Sequence, residues 1–273
     1  MKKFSGILIC TDLDGTLLKK DKTISDENME TINYFMAEGG LFTFVTGRMP
    51  NYVKDMYERV NPNAPFGCSN GGAIYDHKKQ EYLWKRPISS ECLELVEFVD
   101  HELPQVGIQV CTFEKTYFCK SNPAIDAFIK ITGLPKVTAD YRDVKEEIAK
   151  IIFTDLDENT IFRLKELLDE HPKAENFDFV RSERILYEIL PKNTHKGTVI
   201  EKMCELFGLD IKKTIGIGDY DNDIGMLKTA GLGIAVANAS DSAKAVADII
   251  TVSNEEHAIA QVIKDLDSAK IIL

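Results

Sequence analysis

The feature that most constrains this 273-residue chain is an alternation of apolar, β-rich runs with helical spacings at both of its ends. Residues 7–11 form an apolar run, and Ser25 stands where it can cap a helix with Met29, Ile32 and Phe35 on one face. Gly39 and Gly40 stop that helix, and residues 41–46 form a second apolar run. Two buried strands around one helix suggest a right-handed βαβ unit in a parallel sheet. The C-terminal part repeats the pattern. Val199, Ile200, Met203 and Phe207 share a helical face before Gly208, and residues 214–218 read as a strand. A short helix is predicted over 223–230, then strands over 233–236 and 248–252 around a helix near Ala243. Ser253 and Glu256 form a capping box for a last helix through Ile259, Val262, Ile263 and Leu266. Both ends therefore read as halves of one Rossmann-like, doubly wound parallel sheet.

The middle departs from this rhythm. Strands predicted at 108–112, 116–119, 150–154 and 185–190 alternate irregularly with helices near 91–103, 124–132 and 158–170. Residues 108–119 read as a hairpin around Glu114 and Lys115. The expected architecture is an α/β core of residues 1–82 and 191–273 interrupted by an α+β insert, 83–190, with Pro87 and Pro191 near its edges.

Charge and cysteine usage narrow the partners. Lys and Arg number 33 against 44 Asp and Glu, a formal charge of -11 that repels a polyphosphate backbone, so no nucleic-acid partner is expected. The 6 cysteines are scattered without a C-x-x-C pair, as expected of reduced thiols in the cytoplasm. No stretch approaches the roughly 20 apolar residues of a membrane helix, so no membrane association is expected. An acidic chain binds a small anion only where a metal ion or local cations reverse the field.

The acids that carry chemistry follow predicted strands. Asp12-Leu13-Asp14-Gly15-Thr16 comes directly after the first run, at the sheet edge where open α/β folds bind ligands. Burying such acids costs several kcal/mol without a cationic partner. Asp219 and Asp223, after the strand at 214–218, can reach the same edge. Two carboxylates 4 Å apart repel by about 4 kcal/mol at an effective dielectric of 20, so convergent acids call for a divalent cation, and hard oxygen ligands favour Mg²⁺. An EF-hand fails because Ile224 and Ala230 stand where Gly and Glu are needed, and a dinucleotide fingerprint fails because Asp221 takes the place of its third glycine. Thr46, Gly47 and Arg48 end the second run, and Lys196 opens a helix; together they supply the local field reversal.

These motifs resemble the haloacid dehalogenase superfamily of phosphohydrolases, specifically its Cof-type members with a type II B cap. The resemblance rests on residues 12–17, Thr46-Gly47-Arg48, Ser69-Asn70-Gly71-Gly72, Lys196-Gly197 and residues 218–223 with Met226 behind them. It implies a Mg²⁺-dependent phosphatase for a small phosphorylated metabolite, sugar phosphates being the broad class. Asp12 would be the nucleophile that forms an aspartyl phosphate, and Asp14 the acid and then the base. Thr46 and Lys196 would clamp phosphoryl oxygens, with Gly47, Arg48 and Asn70 at the substrate. The metal would be held by Asp12, the Asp14 carbonyl and Asp219, braced by Asp223 and Asn222. His195, Tyr220 and Gly72 depart from the family's usual residues. The lid implied by the resemblance lies between Thr46 and Lys196, with Arg181, Glu188 and Asn193 as candidates at its mouth. The chain is expected to act as a monomer or homodimer.

Two other functions share these residues. A phosphomutase or phosphotransferase would pass the same aspartyl phosphate to a hydroxyl, and a phospho-aspartate regulatory module would keep it. The second class lacks an insert of this size. Asp155 and Asp157 imitate the nucleophile motif within the insert, but the helical set Ile161, Leu164, Leu167 and Leu168 begins at once, so they are read as helix caps.

Overall fold

The computed structural model describes residues 2–133 and 135–273. In chain order the elements are β1 (Leu8–Thr11), α1 (Asp26–Ala37), β2 (Leu41–Phe44), α2 (Lys54–Val60), β3 (Phe66–Cys68), β4 (Ala73–Asp76) and β5 (Glu81–Lys85). Then come α3 (Cys92–Glu102), β6 (Gly107–Thr112), β7 (Thr116–Lys120), α4 (Pro123–Thr132), β8 (Ile148–Thr154), α5 (Glu158–Asp169), β9 (Phe177–Glu183) and β10 (Leu186–Pro191). The chain ends with α6 (Lys196–Phe207), β11 (Thr214–Gly218), α7 (Ile224–Thr229), β12 (Leu232–Ala235), α8 (Asp241–Lys244), β13 (Ile249–Ile250) and α9 (Ala258–Asp267).

Residues 1–85 and 195–273 form one compact unit. Its main sheet runs β13-β12-β11-β1-β2, parallel throughout, so the two ends of the chain do share one doubly wound sheet. Strand β1 pairs with β11 on one side and β2 on the other, and its Leu8 and Cys10 side chains pack with Val199, Ile200 and Met203 of α6 and Met226 of α7. Each such side chain taken from water contributes about 1.5–3 kcal/mol if aliphatic. Helices α1 and α9 pack on each other, and the buried Asn28 Oδ1 accepts from Ala260 N at 2.9 Å. The capping box at Ser253 and Glu256 forms, but on a single tight turn, because His257 adopts φ 64 and separates that turn from α9.

A small antiparallel sheet, β3-β4-β5, was not expected from the sequence. Its strands are 3 to 5 residues long, and β5 is half-exposed, so no period of two accumulates.

Residues 86–194 form the second unit. Its antiparallel sheet runs β7-β6-β8-β10-β9, with the expected hairpin joining β6 and β7. Helices α3 and α5 cover one face, where Leu95, Val96 and Val99 meet Ile161, Leu164 and Leu168 over Ile108, Val110, Ile151, Phe153 and Ile189. Strand β5 keeps residues up to Lys85 with the first unit, while Thr194 N donates to Asp178 Oδ2 at 3.0 Å and ties residues just beyond β10 to the second. Asp157 caps α5 by accepting from Asn159 N at 3.0 Å, the structural role read from sequence. Among the described residues, no helix is long and apolar enough to cross a membrane.

Candidate active site

The site lies at the C-terminal edge of the parallel sheet. Asp12 continues β1, its N–H donating to Ile217 O at 2.8 Å, and the chain then coils so that Leu18 N reaches Leu13 O at 2.8 Å. That coil needs the left-handed Gly15, φ +81, where a Cβ would lie 2.3 Å from Asp219 Oδ2. The open position lets Asp219 close on the coil, and Thr16, fully buried, donates to Asp219 Oδ1 at 3.0 Å.

On the neighbouring strand, β11 ends at Gly218 and a tight turn follows. Asp223 Oδ2 accepts from Asp219 N at 2.9 Å and Tyr220 N at 3.0 Å. Its other oxygen, and Asp12 Oδ1, each lie 2.6 Å from the ammonium of Lys196, which is 1% exposed at the start of α6. Ligand atoms of Asp12, Asp219 and Asp223 all lie within 4.8 Å of one another.

Burial raises the Asp12 carboxyl well above its ordinary value, against the pull of Lys196 and with the push of Asp223 and Asp219. Burial, then the charge of Asp223, likewise pushes Asp219 up to about 7, against Lys196 and Thr16. Burial works against the charge of Lys196, but its two carboxylates outweigh it and raise the ammonium. Three acids against one ammonium leave two negative charges without a counter-charge. Lys196 and Thr16 each engage one oxygen of Asp12 and Asp219, and Asp223 has both oxygens bonded within the protein. The set therefore fits a divalent cation on Asp12 and Asp219, with Asp223 holding the frame.

The second half of the site comes from β2 and its successor. Thr46 N donates to Gly67 O at 3.0 Å, and the Thr46 hydroxyl accepts from Arg48 N at 3.2 Å. Arg48 grips Asp14 with both prongs, Nε to Oδ2 at 2.9 Å and Nη2 to Oδ1 at 2.7 Å. Burial pushes the Asp14 carboxyl up, but Arg48 and Lys22 outweigh it and hold it below its ordinary range. Ser69 and Asn70 both take left-handed backbone, φ 53 and φ 52, a strained arrangement of the kind that gathers at functional sites. Asn70 N donates to Thr46 O at 3.1 Å, and Asn70 Oδ1 accepts from Asn222 Nδ2 at 3.0 Å. Asn70 thus bridges the Thr46-Gly47-Arg48 loop and the loop of Asn222.

The acids, Lys196 and Thr16 converge on one cluster, Asp14 pairs with Arg48, and Asn70 joins Asn222. In the other unit, Arg181 bonds Glu158 and Arg184 O, and Glu188 is buried against Lys150, while Asn193 turns with φ 57. Four residues escaped the sequence reading. Thr16 lay inside the motif, and Lys22 is one of three lysines among residues 19–22 of an acidic chain, so both carried a signal. Asn238, which donates to Gly15 O at 2.8 Å, and Asn254, which donates to Leu18 O at 2.8 Å, carried none.

The family description of haloacid dehalogenase-like hydrolases matches residues 9–263. Two proteins of Bacillus subtilis (strain 168), each named a 5-amino-6-(5-phospho-D-ribitylamino)uracil phosphatase, are similar in sequence. YitU is 29% identical over 264 residues, covering 94% of this chain and 96% of that protein. YwtE is 30% identical over 291 residues, covering 96% and 98%. The fold is shared with the subclass IIB sugar phosphatase BT4131, at TM-score 0.84 and 22% identity over 96% of this chain and 99% of that one. It is shared too with a haloacid dehalogenase-like hydrolase from Bacteroides thetaiotaomicron, at TM-score 0.80 and 23% identity over 95% and 99%. Matched along almost its whole length, the chain belongs to the haloacid dehalogenase-like hydrolase family and is a phosphatase of its Cof type, built on the subclass IIB fold.

Proposed function

We infer that the chain is a Mg²⁺-dependent phosphatase that hydrolyses a small phosphorylated metabolite through an aspartyl phosphate on Asp12. The observation that carries this reading is the Lys196 ammonium shared at 2.6 Å between Asp12 and Asp223 beside Asp219. The phosphorylated compound in the names of the Bacillus subtilis relatives, and the sugar phosphatase with the same fold, support a sugar phosphate as the class to test first.

Asp12 attacks phosphorus, and the bond to the ester oxygen breaks, its electron pair leaving with that oxygen. Asp14 gives the departing oxygen a proton. Water then attacks the phosphorus of the aspartyl phosphate, its proton passes to the Asp14 carboxylate, and Asp12 is regenerated. A carboxylate serves as nucleophile because its acyl phosphate is labile enough to turn over. Lys196 fixes one oxygen of Asp12, so the other faces the phosphoryl group. Thr46 places the phosphoryl oxygens by hydrogen bonding and Lys196 offsets their charge, which matters most in a loose transition state. Held between Arg48 and Lys22, Asp14 is charged in the free protein. Its acid role requires that substrate draw Arg48 away and that the carboxylate take a proton from solvent as substrate binds. Once that proton has gone to the leaving oxygen, Asp14 is again the carboxylate that accepts the proton of water. Mg²⁺ on Asp12 and Asp219, with the Asp14 carbonyl, Asp223 and Asn222 in support, would supply the positive charge that lets a phosphate dianion approach a carboxylate.

Phosphate release from a panel of phosphorylated metabolites, with and without Mg²⁺, tests the reading. Asp12→Asn is expected to lose about a thousandfold or more. An unimpaired Asp12→Asn protein rejects the nucleophile, and an isomerised ester without free phosphate replaces hydrolysis by phosphotransfer.

A further inference from the structure

The segment after the catalytic coil has a charge opposite to that of the whole protein. Residues 19–22 are Lys19, Lys20, Asp21 and Lys22, in a chain of net charge -11. They form a tight arm: Lys19 N donates to Thr23 O at 2.9 Å, and Lys22 N to Lys19 O at 2.9 Å. Asp21 locks the turn by accepting from Thr23 N at 2.9 Å and the Thr23 hydroxyl at 2.6 Å. The arm is pinned from the far end of the chain, where Lys20 N donates to Glu255 Oε1 at 2.8 Å and Asn254 Nδ2 to Leu18 O at 2.8 Å. At its tip Lys22 takes left-handed backbone, φ 63, which a lysine adopts only at a cost in free energy.

That strained, anchored tip delivers one ammonium. Lys22 Nζ lies 2.7 Å from Asp14 Oδ1, the oxygen that also receives Arg48 Nη2 at 2.7 Å. Two cations thus face one carboxylate, an excess of one positive charge. It is not sealed in: the side chains of Lys22 and Arg48 are 62% and 34% exposed, and an ammonium has three donors where Asp14 takes one.

We propose that Lys22, together with Arg48, selects phosphoesters whose leaving group carries its own negative charge, a carboxylate or a second phosphate. The inference rests on the reading that Asp14 protonates the leaving oxygen. An acid must come within hydrogen-bond reach of the oxygen it protonates. Groups that hydrogen-bond Asp14 from the solvent side therefore flank the first few atoms of the leaving group. A neutral polyol leaves their excess charge unanswered, and an anion answers it with a charge-assisted hydrogen bond. At this partly exposed position the preference is about tenfold, within the range of one such bond.

Matched esters test it. The pairs are 3-phosphoglycerate against glycerol 3-phosphate, and fructose 1,6-bisphosphate against fructose 6-phosphate, each differing in one anionic group on the leaving side. Wild type is expected to favour the anionic member by about tenfold in kcat/KM. Lys22→Met is expected to bring the ratio close to one, and Lys22→Arg to restore most of it. Preference in the first pair alone identifies the carboxylate, and in the second alone the phosphate. Equal or inverted wild-type ratios overturn the proposal. So does a Lys22→Met protein that loses both members of a pair equally, for then Lys22 serves Asp14 alone. Should wild type release phosphate from none of the four with Mg²⁺, the hydrolytic reading fails by itself. Calorimetric binding of the same esters to wild type and Lys22→Met then decides the role of Lys22, by the same ratios.

Discussion

The hydroxyl of Thr16 donates to Asp219 Oδ1 at 3.0 Å, joining the coil after β1 to the turn after β11. Both strands lie side by side in the parallel sheet, and this bond, with the Lys196 bridge from Asp12 to Asp223, sets the spacing between the two acidic loops. Thr16→Val keeps the shape and removes the donor to a carboxylate already short of counter-charge. The metal-free protein should lose about 1–2 kcal/mol, read by chemical denaturation, and Mg²⁺ should bind several-fold more weakly by calorimetry. Unchanged Mg²⁺ affinity would show that Asp219 is aligned without Thr16.

Proton linkage follows from the same cluster. Folding moves the Asp219 carboxyl from its ordinary 3.8 up to about 7, chiefly by burial, and moves Asp12 in the same direction. Between those values the folded protein holds a proton that the unfolded chain has lost, so metal-free stability should fall as pH rises from about 4 to about 7. Asp14 acts oppositely: its lowered carboxyl contributes stability that is lost only as pH falls below its ordinary 3.8, outside that window. A divalent cation held by these acids would take them ionised, so Mg²⁺ should expel protons on binding, and more of them at pH 6 than at pH 8.5. Calorimetry in buffers of different ionisation enthalpy measures this directly, and proton-neutral binding at pH 6 would contradict the raised carboxyls.

The convergence of the acids was legible in the sequence because the candidate residues sit in contiguous motifs at strand ends. The run before Asp12 and the run before Asp219 each announce a buried strand, and adjacency in a parallel sheet brings their acids together. What was hidden depends on partners far along the chain or on weak periodicity. Asn254 reaches Leu18 across 236 positions, and nothing local to residue 254 says so. Strand β9 was missed because its residues are mostly half-exposed, leaving a blurred alternation. Glu188 reads as a polar residue suited to a ligand, yet its carboxylate is spent on Lys150.

That pair gives a prediction for the second unit. Lys150 Nζ and Glu188 Oε2 are 2.6 Å apart, with side chains 3% and 2% exposed, and Ser182 bonds the other carboxylate oxygen. Glu188→Ala leaves a buried ammonium without this counter-charge and should cost about 3–5 kcal/mol. Lys150→Met combined with Glu188→Leu removes both charges and should recover most of that loss. Denaturation midpoints of the two proteins separate a structural pair from a ligand contact: if the single variant is fully stable, Glu188 is free to serve elsewhere.

The last prediction concerns the clip on the coil after β1. Asn238 Nδ2 holds Gly15 O and Asn254 Nδ2 holds Leu18 O, each at 2.8 Å, while Asn238 Oδ1 accepts from Asn254 N at 3.0 Å. Asn254 is 3% exposed, so Asn254→Ala strands a carbonyl that water reaches poorly, at a cost of about 1–3 kcal/mol. The coil carries Asp14 and leads into the arm of Lys22, so its loosening should speed amide exchange at Leu17 and Leu18 and lower kcat more than it raises KM. Asn238→Asp isolates one contact, since it keeps the acceptor for Asn254 N and loses the donor to Gly15 O. Slower turnover with unaltered exchange at Leu18 would place the effect at Gly15, and wild-type kcat in both variants would show that the coil holds its shape without the clip.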